Sequence, residues 1–507
     1  MNRLEVRANA KRNMLFGIAN KLILLLFPFA VKSIINSTLG MEYLGLNSLF
    51  SSILQVLLLS ELGLGAALVY HMYKPIADND QKKINALLNL YKKSYFFVGV
   101  FILTFGLVII PFLPYLIKGN RPEDINIYII YIIQLLNTCV SYFLFGYKQS
   151  LLAAYQREDV NSIINLTTQA TLQIVQIALL LTTHNYYFFV SSMLVFTVIN
   201  NLWIGFITRK IFPKARCEGT LDKNVLCSVK KLVAGTFIQK ACSVTRNSLD
   251  SICISAFVGL YITGIYNNYY MIMSGVTLLL GVVSTSLAGG IGNHVATKTS
   301  EENFKELQKL DFLYMAISGW CTACLLCLFQ PFMKIWMGEE MTLPFEVVIL
   351  ICVYFYILKM GDMRTLYSTA NGLWWIMRYR SIVETLGNVL LNVFLGFIWG
   401  VYGIVCATII SIFFCNFIWS SSILFENYFG KACMKCYFSY HIKYALVYSL
   451  ICFVAYYICL KIEIENNIGC IIFRLIVCSL TFALIFFVFF GKNKTFKESV
   501  SFLKKKA

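Results

Sequence analysis

Residues 232–258, LVAGTFIQKACSVTRNSLDSICISAFV, are long enough to cross a bilayer, yet they carry Lys240, Arg246 and Asp250. On insertion scales, each buried charge raises the free energy of membrane insertion by on the order of 3 kcal/mol. The ten Leu, Ile, Val and Phe residues of the segment together lower it by about 3–6 kcal/mol. A lone helix facing lipid would therefore not insert well. The segment predicts a helix that packs inside a bundle of other helices.

The polar residues of this segment share one helical face. Gln239, Ser243, Arg246 and Asp250 follow one another at i, i+4, i+7 and i+11. We interpret the face as the lining of a wet cavity that binds a charged molecule. The alternative is a satisfied Arg246–Asp250 pair that joins two helices within the bundle. The sequence leaves both interpretations open.

The composition is that of a membrane protein. Of 507 residues, 58% are hydrophobic and 13% are charged, about half the charged share of a soluble domain. Spans this apolar must be helical, because lipid offers no partner to free backbone groups. We predict an all-α polytopic membrane protein with about fourteen transmembrane helices. The spans lie near 14–36, 43–70, 91–117, 125–152, 160–182, 186–208, 232–258, 262–288, 311–333, 344–370, 380–399, 402–425, 441–460 and 468–490.

The placement of the positive charges predicts the topology. Most of the 43 lysines and arginines lie in alternate segments, beginning with the N-terminus. The intervening connections carry only Lys118, Arg121, Lys334 and Lys461. The positive-inside rule therefore predicts that both termini are cytoplasmic. The net charge of +18 then indicates contact with membrane lipids rather than with nucleic acid.

The chain also repeats internally. A shift of 219 residues places Gly40 on Gly259, Gly45 on Gly264 and Lys21 on Lys240. Six spans per copy make the two copies parallel, related by an axis along the membrane normal. We predict an N-terminal six-helix lobe over 1–210, a cytoplasmic linker over 211–231 and a second six-helix lobe over 232–425. Residues 426–507 form two extra transmembrane helices and a basic cytoplasmic tail.

Two buried carboxylates are candidates for coupling transport to a proton or sodium gradient. Glu61 lies deep in the second predicted span, and Asp250 lies in the seventh. Protonation would remove most of the cost of burying either group. For Glu61, the alternative is a hydrogen-bonded structural role. Arg364, in the tenth span, either faces the cavity or extends to the headgroups from a helix end.

The sequence offers no sign of covalent chemistry. The seventeen cysteines are mostly inside spans, as small apolar residues would be, and the four histidines are scattered. No phosphate-binding loop, no Ser-His-Asp grouping and no metal-ligand spacing occurs in the chain. We therefore expect a protein that is not an enzyme and has neither catalytic residues nor a metal site.

With six, six and two spans in view, the chain resembles the Wzx-type polysaccharide biosynthesis flippases, the O-antigen and capsule repeat-unit translocases of the multidrug/oligosaccharidyl-lipid/polysaccharide exporter superfamily. The likeness covers roughly residues 5–425. It is carried by 39–47 (LGMEYLGLN), 60–65 (SELGLG), 247–251 (NSLDS), 264–268 (GIYNN), 374–384 (WWIMRYRSIVE) and 400–403 (GVYG).

The resemblance implies a V-shaped pair of lobes that work by alternating access around a cationic cavity in the bacterial plasma (inner) membrane. The implied substrate is a polyprenyl-pyrophosphate-linked oligosaccharide destined for surface polysaccharide, with a polysaccharide polymerase and chain-length proteins as partners. No cofactor is expected beyond a coupling sodium ion or proton. The predicted substrate-binding residues are Lys21, Gln239, Lys240, Ser243, Arg246 and Arg364, and the predicted ion-coupling residues are Glu61 and Asp250.

Two other functions fit the same layout. A lipid-linked cell-wall precursor flippase would differ only in the sugar that it carries. An ion-coupled multidrug antiporter of the same superfamily should have an acidic and aromatic cavity, whereas the candidate residues here are mainly basic.

Overall fold

The structure is a computed structural model that describes residues 27–61, 64–118, 122, 124–155, 157–221, 227, 244–245, 248–373, 375–462, 466–493 and 495–498, apart from some side chains within 59–77 and 285–296. Within these ranges all regular structure is helical and no strand occurs. The predicted all-α class is confirmed. The chain packs as two compact units, Met1–Gly264 and Ile265–Ala507.

The first unit contains nine α-helices in its described part, the first of them at 27–38. The others are α2 (Met41–Leu57), α3 (Leu64–Ala77), α4 (Gln81–Ile109), α5 (Ile127–Phe143), α6 (Gln149–Ala154), α7 (Glu158–Thr183), α8 (Tyr186–Ile211) and α9 (Ser248–Phe257).

Two predicted spans of this unit are interrupted. A 3₁₀ turn over Leu58–Glu61 follows α2 and precedes α3, within the span predicted at 43–70. The span predicted at 125–152 bends by 50° between α5 and the segment Gly146–Ala154. At that bend, a β-carbon on Gly146 would lie 2.5 Å from the carbonyl oxygen of Ser141, so the close backbone approach requires glycine. Each of these two predicted spans is therefore an interrupted helix and not a continuous one.

The second unit continues from α10 (Leu260–Thr297), whose first turn belongs to the first unit. Its other helices are α11 (Ser300–Met337), α12 (Phe345–Lys359), α13 (Asp362–Ala370), α14 (Arg378–Trp399), α15 (Val401–Ser411), α16 (Ser420–Leu424), α17 (Lys431–Lys461) and α18 (Asn467–Phe490). Two π-helical turns, Ile412–Trp419 and Phe425–Phe429, flank α16.

Helix α11 begins with a capping box. The Thr299 hydroxyl accepts a hydrogen bond from the backbone N–H of Glu302, and the Glu302 carboxylate accepts one from the backbone N–H of Thr299. The hydrogen bond from Thr299 lowers the pKa of the Glu302 carboxyl. This start gives α11 a defined first turn.

Eight helical segments in the described ranges are long and apolar enough to cross a membrane, and the bent pair makes nine. These segments establish a multi-pass membrane protein. Of the other predicted spans, those at 43–70 and 344–370 are broken into shorter helices, and those at 14–36 and 232–258 lie partly outside the described residues. The span predicted at 262–288 lies within the continuous helix α10. The lobe boundaries predicted from the internal repeat remain predictions.

The repeated glycines lie where α2 and α10 cross. Gly40 (φ 112°) and Gly259 (φ 133°) each directly precede one of these helices in a conformation that favours glycine. A β-carbon on Gly45 would lie 1.9 Å from the carbonyl oxygen of Leu260, and one on Gly264 would lie 2.8 Å from that of Met41. The contact is reciprocal, and the shift of 219 residues relates Gly45 to Gly264 and Met41 to Leu260.

Candidate functional site

Glu61 is held by two tyrosines of the first unit. The residue ends the 3₁₀ turn that interrupts the second predicted span, and it is half-buried. One of its carboxylate oxygens accepts a hydrogen bond from the Tyr95 hydroxyl on α4, and the other accepts one from the Tyr142 hydroxyl on α5. Hydrogen bonds to the charged form stabilise a carboxylate away from bulk water. Glu61 is therefore a half-buried carboxylate with two donors that the sequence did not reveal, and its coupling role stays a prediction.

This arrangement has two chemical uses. A carboxylate between two phenol donors can accept a proton, or it can contribute oxygen ligands to a small cation. It also serves as a hydrogen-bonded junction between α4, α5 and the turn, which is the structural alternative. The ring of Tyr91 packs against that of Tyr95 at 4.5 Å between centroids and extends the junction along α4.

Asp250, the other candidate coupling residue, lies on α9 and is 2% exposed. In the same helix, the Ser248 hydroxyl lies 3.1 Å from Gln55 Oε1 and the Ser255 hydroxyl donates to the Leu116 carbonyl at 2.7 Å. These bonds attach α9 to α2 and to the end of the third span. Asp250 is thus a buried carboxylate on a short apolar helix, and most of the span predicted at 232–258 lies outside the described residues. Its coupling role stays a prediction.

Five of the predicted substrate-binding residues lie outside the described residues. Their roles therefore stay predictions, as does the proposed pairing of Arg246 with Asp250. They are Lys21, Gln239, Lys240, Ser243 and Arg246.

Arg364, the sixth predicted substrate-binding residue, lies in the interior of the second unit. It is on α13 and is 1% exposed, so the alternative in which its head extends to the lipid headgroups is wrong. Its Nη2 donates to Asn416 Oδ1 at 3.1 Å and to the Thr365 hydroxyl at 3.2 Å. Its Nε and Nη1 are buried without a hydrogen-bond partner. A buried guanidinium with two free donors can bind an anion in a bidentate manner.

The charges next to Arg364 are already paired. The span predicted at 344–370 is interrupted between α12 and α13, and at this break Lys359 Nζ lies 2.8 Å from the Asp362 carboxylate. The same oxygen accepts a hydrogen bond from the Tyr314 hydroxyl at 2.5 Å. On α14, Arg380 forms an ion pair with Glu384 one turn away. Arg364 therefore has two buried donors without a hydrogen-bond partner and no carboxylate among its hydrogen bonds, whereas the ion-paired Arg380 has one such donor, its Nε.

A second buried pair was missed by sequence reasoning. His441 Nε2 on α17 lies 3.0 Å from the Asp311 carboxylate on α11, and the two residues are 1% and 0% exposed. The rings of Tyr437 and Tyr444 pack on His441 at 4.5 and 5.8 Å between centroids. No motif or spacing could have indicated this pair, because its members lie on helices far apart in the chain. It joins one of the two appended helices to the rest of the unit.

The chain was compared with known proteins. No protein-family model and no curated protein matches the sequence. Among solved structures, the lipid II flippase MurJ in an inward closed conformation is similar, with a TM-score of 0.66 and 16% identity over 94% of this chain and 99% of that one.

Two further solved structures are similar over a smaller part of the chain. An inward-facing multidrug resistance MATE family transporter of the MOP superfamily matches with a TM-score of 0.60 and 13% identity over 82% of this chain and 97% of that one. A MOP superfamily transporter from Pyrococcus furiosus, described as having a binding pocket of reverse polarity, matches with a TM-score of 0.52 and 14% identity over 82% of this chain and 96% of that one. The chain therefore has the fold of MOP superfamily membrane transporters.

Proposed function

We propose that this protein moves polyprenyl-pyrophosphate-linked oligosaccharide repeat units from the cytoplasmic to the outer leaflet of the bacterial plasma membrane, for surface polysaccharide, by alternating access. The observation that carries the proposal is the extent of the likeness to the lipid II flippase. The match to the lipid II flippase leaves 6% of the 507 residues uncovered, which is about 30 residues. The appended segment 426–507 has 82 residues, so this match must include part of it. The match to the MATE transporter covers 82% of the chain and leaves about 91 residues uncovered, which is enough to leave out the whole appended segment.

The charge of the candidate residues favours an anionic substrate. A pyrophosphate is rejected by the bilayer core unless donors replace its lost water. Arg364 supplies two unbonded guanidinium donors inside the second unit. In the proposal, Lys21, Lys240 and Arg246 contribute further positive charge, with Gln239 and Ser243 as neutral contacts. The polyprenyl tail stays in lipid, so the protein binds, shields and releases its substrate with no covalent step.

Coupling to an ion gradient is assigned to the two buried carboxylates. Glu61 has two phenol donors but no cationic partner among the contacts described for it, so gain of a proton or sodium ion would change its net charge. Asp250 is buried on α9, four residues after the predicted cation Arg246 in the sequence. Binding of an ion at either carboxylate would change the net charge of the region that is proposed to hold the pyrophosphate.

A lipid-linked cell-wall precursor is the second candidate substrate, because the solved structure with the higher TM-score is that of a lipid II flippase. Both substrates present a polyprenyl pyrophosphate, and they differ in the saccharide. A multidrug antiporter remains the third candidate, since MATE transporters share the fold. The basic character of the candidate residues disfavours it.

Complementation separates the three candidates. We would express the chain in cells that lack a repeat-unit flippase and in cells depleted of their lipid II flippase, and measure surface polysaccharide in the first and survival in the second. The proposal predicts restored surface polysaccharide without rescue of survival. Rescue of survival alone would favour the precursor flippase. Drug resistance with neither rescue would favour the antiporter.

A further inference from the structure

Three cysteine side chains converge at one point in the second unit. Cys327 on α11, Cys459 on α17 and Cys478 on α18 have sulfur atoms that all lie within 4.8 Å of one another. All three are buried, at 0%, 1% and 0% exposure. They come from three different helices, so ordinary helical spacing does not explain their meeting. Sequence reasoning assigned no metal role to the cysteines because only their positions on separate spans were visible.

The surroundings of the three thiols are apolar. The side chain of Ala455 completes the buried cluster, and Cys324, Tyr456 and Val477 pack against it. Within the described residues, no histidine or carboxylate joins this group of metal-ligating side chains. The potential ligands are thus three sulfur atoms in a buried apolar cluster. Hard cations take oxygen ligands, and this group has no carboxylate among its members.

An arginine lies beside the cluster. Arg474 on α18 donates from Nη1 to the carbonyl oxygen of Cys327 at 3.0 Å, and its Nε is buried without a hydrogen-bond partner. Arg474 and Cys478 are four residues apart on α18, so their side chains lie on the same face of that helix. An arginine within a membrane helix is costly unless it compensates a negative charge. Thiolate sulfurs bound to a metal ion would provide that charge.

We propose that Cys327, Cys459 and Cys478 bind one thiophilic metal ion, Cu(I). Soft thiolate ligands select Cu(I), whereas a structural Zn²⁺ site takes four ligands, and only three sulfur atoms lie within 4.8 Å of one another here, with Cys324 packed against them. Each sulfur that binds as a thiolate releases its proton, so up to three protons leave as the ion enters. The bound ion ties both appended helices to α11. This site is independent of the proposed transport function.

The test is a Cu(I) titration of the purified, reduced full-length protein under anaerobic conditions, in competition with a chromogenic Cu(I) chelator. We expect one Cu(I) per chain. We expect Cu(I) binding to be weakened by more than about tenfold in each of the variants Cys327→Ser, Cys459→Ser and Cys478→Ser. Substitution of residues that only support the metal ligands already weakens metal binding by about tenfold or more, so loss of a ligand should weaken it further. Cys139→Ser and Cys352→Ser change equally buried cysteines outside the cluster and should bind as the unaltered protein does. Each variant is first checked for the elution profile of the folded protein.

A measurement on the unaltered protein keeps the proposal testable if the variants fail to fold. X-ray absorption of the copper-loaded protein should show three sulfur neighbours. Absence of retained copper, unchanged binding in the cluster variants, or fewer than three sulfur neighbours would overturn the proposal. A disulfide between two of the three cysteines in protein isolated without reductant would overturn it as well, and mass spectrometry would reveal it.

Discussion

Gly45 and Gly264 face each other where α2 and α10 cross, so closely that a β-carbon on Gly264 would lie 3.1 Å from the backbone nitrogen of Gly45. Each glycine also lies against the first residue of the opposite helix, Leu260 or Met41. Small residues allow helix backbones to approach in this way within a membrane. The crossing joins matching positions of the two repeats.

Substitution at this crossing should be costly. Gly45→Ala and Gly264→Ala place a methyl group against backbone atoms that cannot rotate away, and overpacking of this kind typically costs about 1–3 kcal/mol. We expect lower thermal stability in detergent and slower transport. The control is Gly387→Ala on α14, whose added β-carbon would meet nothing within 4 Å. Equal stability of the crossing variants and this control would contradict the prediction.

Glu61→Gln should uncouple transport from the driving ion. The amide keeps the size of the carboxylate but cannot take up a proton or hold a cation by charge. We expect transport in proteoliposomes to lose its dependence on pH or sodium, with expression retained. Tyr142→Phe, which removes one donor and leaves the carboxylate, should lower stability by about 1.5–3 kcal/mol. The coupling hypothesis is wrong if Glu61→Gln and Asp250→Asn both transport with unchanged pH and sodium dependence.

Arg364→Gln separates charge from packing in the second unit. Glutamine keeps a donor for Asn416 but removes the positive charge. We expect normal expression with strongly reduced flipping, measured as lipid-linked saccharide retained on the cytoplasmic leaflet. Gly361→Ala should have a weaker effect in the same direction, because a β-carbon there would lie 2.8 Å from Arg364 Nη2 and displace the guanidinium.

The matched control for Arg364 is Arg378, which stacks on Trp375 at 4.1 Å and donates to the backbone of the same residue. Arg378→Gln removes the same charge from another helix of the same unit and should transport normally. If Arg364→Gln is well expressed and flips its substrate at the unaltered rate, Arg364 has a structural role only.

The Asp311–His441 pair should stabilise α17 against α11. His441→Leu leaves a buried carboxylate without its partner, which typically costs about 3–5 kcal/mol. Thermal unfolding in detergent measures the loss. Asp311→Leu/His441→Leu should recover most of the lost stability, and a double variant as unstable as the single one would argue against a stabilising role of the pair.

Arg246 is expected to bind the pyrophosphate of the substrate through its planar fork. Arg246→Lys keeps the charge but loses the bidentate geometry and should be partly impaired. Arg246→Ala should be worse, although it also leaves Asp250 without its predicted partner. Arg246→Ala/Asp250→Ala removes both charges, and we expect it to restore expression but not flipping. Full transport by a well-expressed double variant would refute the role in substrate binding.

The candidate site shows where sequence reasoning reaches its limit. Glu61, Asp250 and Arg364 could be identified because a charged residue inside a long apolar segment is costly and therefore conspicuous. Their partners could not be identified. Tyr95, Tyr142 and Asn416 are ordinary residues for such helices, and only their positions on neighbouring helices bring them to a charge.

The sequence by itself determined the class of the fold, because the lack of water in the bilayer leaves helices as the only structure for long apolar segments. It also indicated the repeat, since Gly40 and Gly45 recur at Gly259 and Gly264 and close backbone approach admits little else. The interruption of the spans and the meeting of Asp311 with His441 were decided by tertiary structure alone. So was the meeting of three cysteines from α11, α17 and α18. Apolar periodicity specifies that a helix is buried, but contacts between helices depend on their rotation and depth, which many side chains set together.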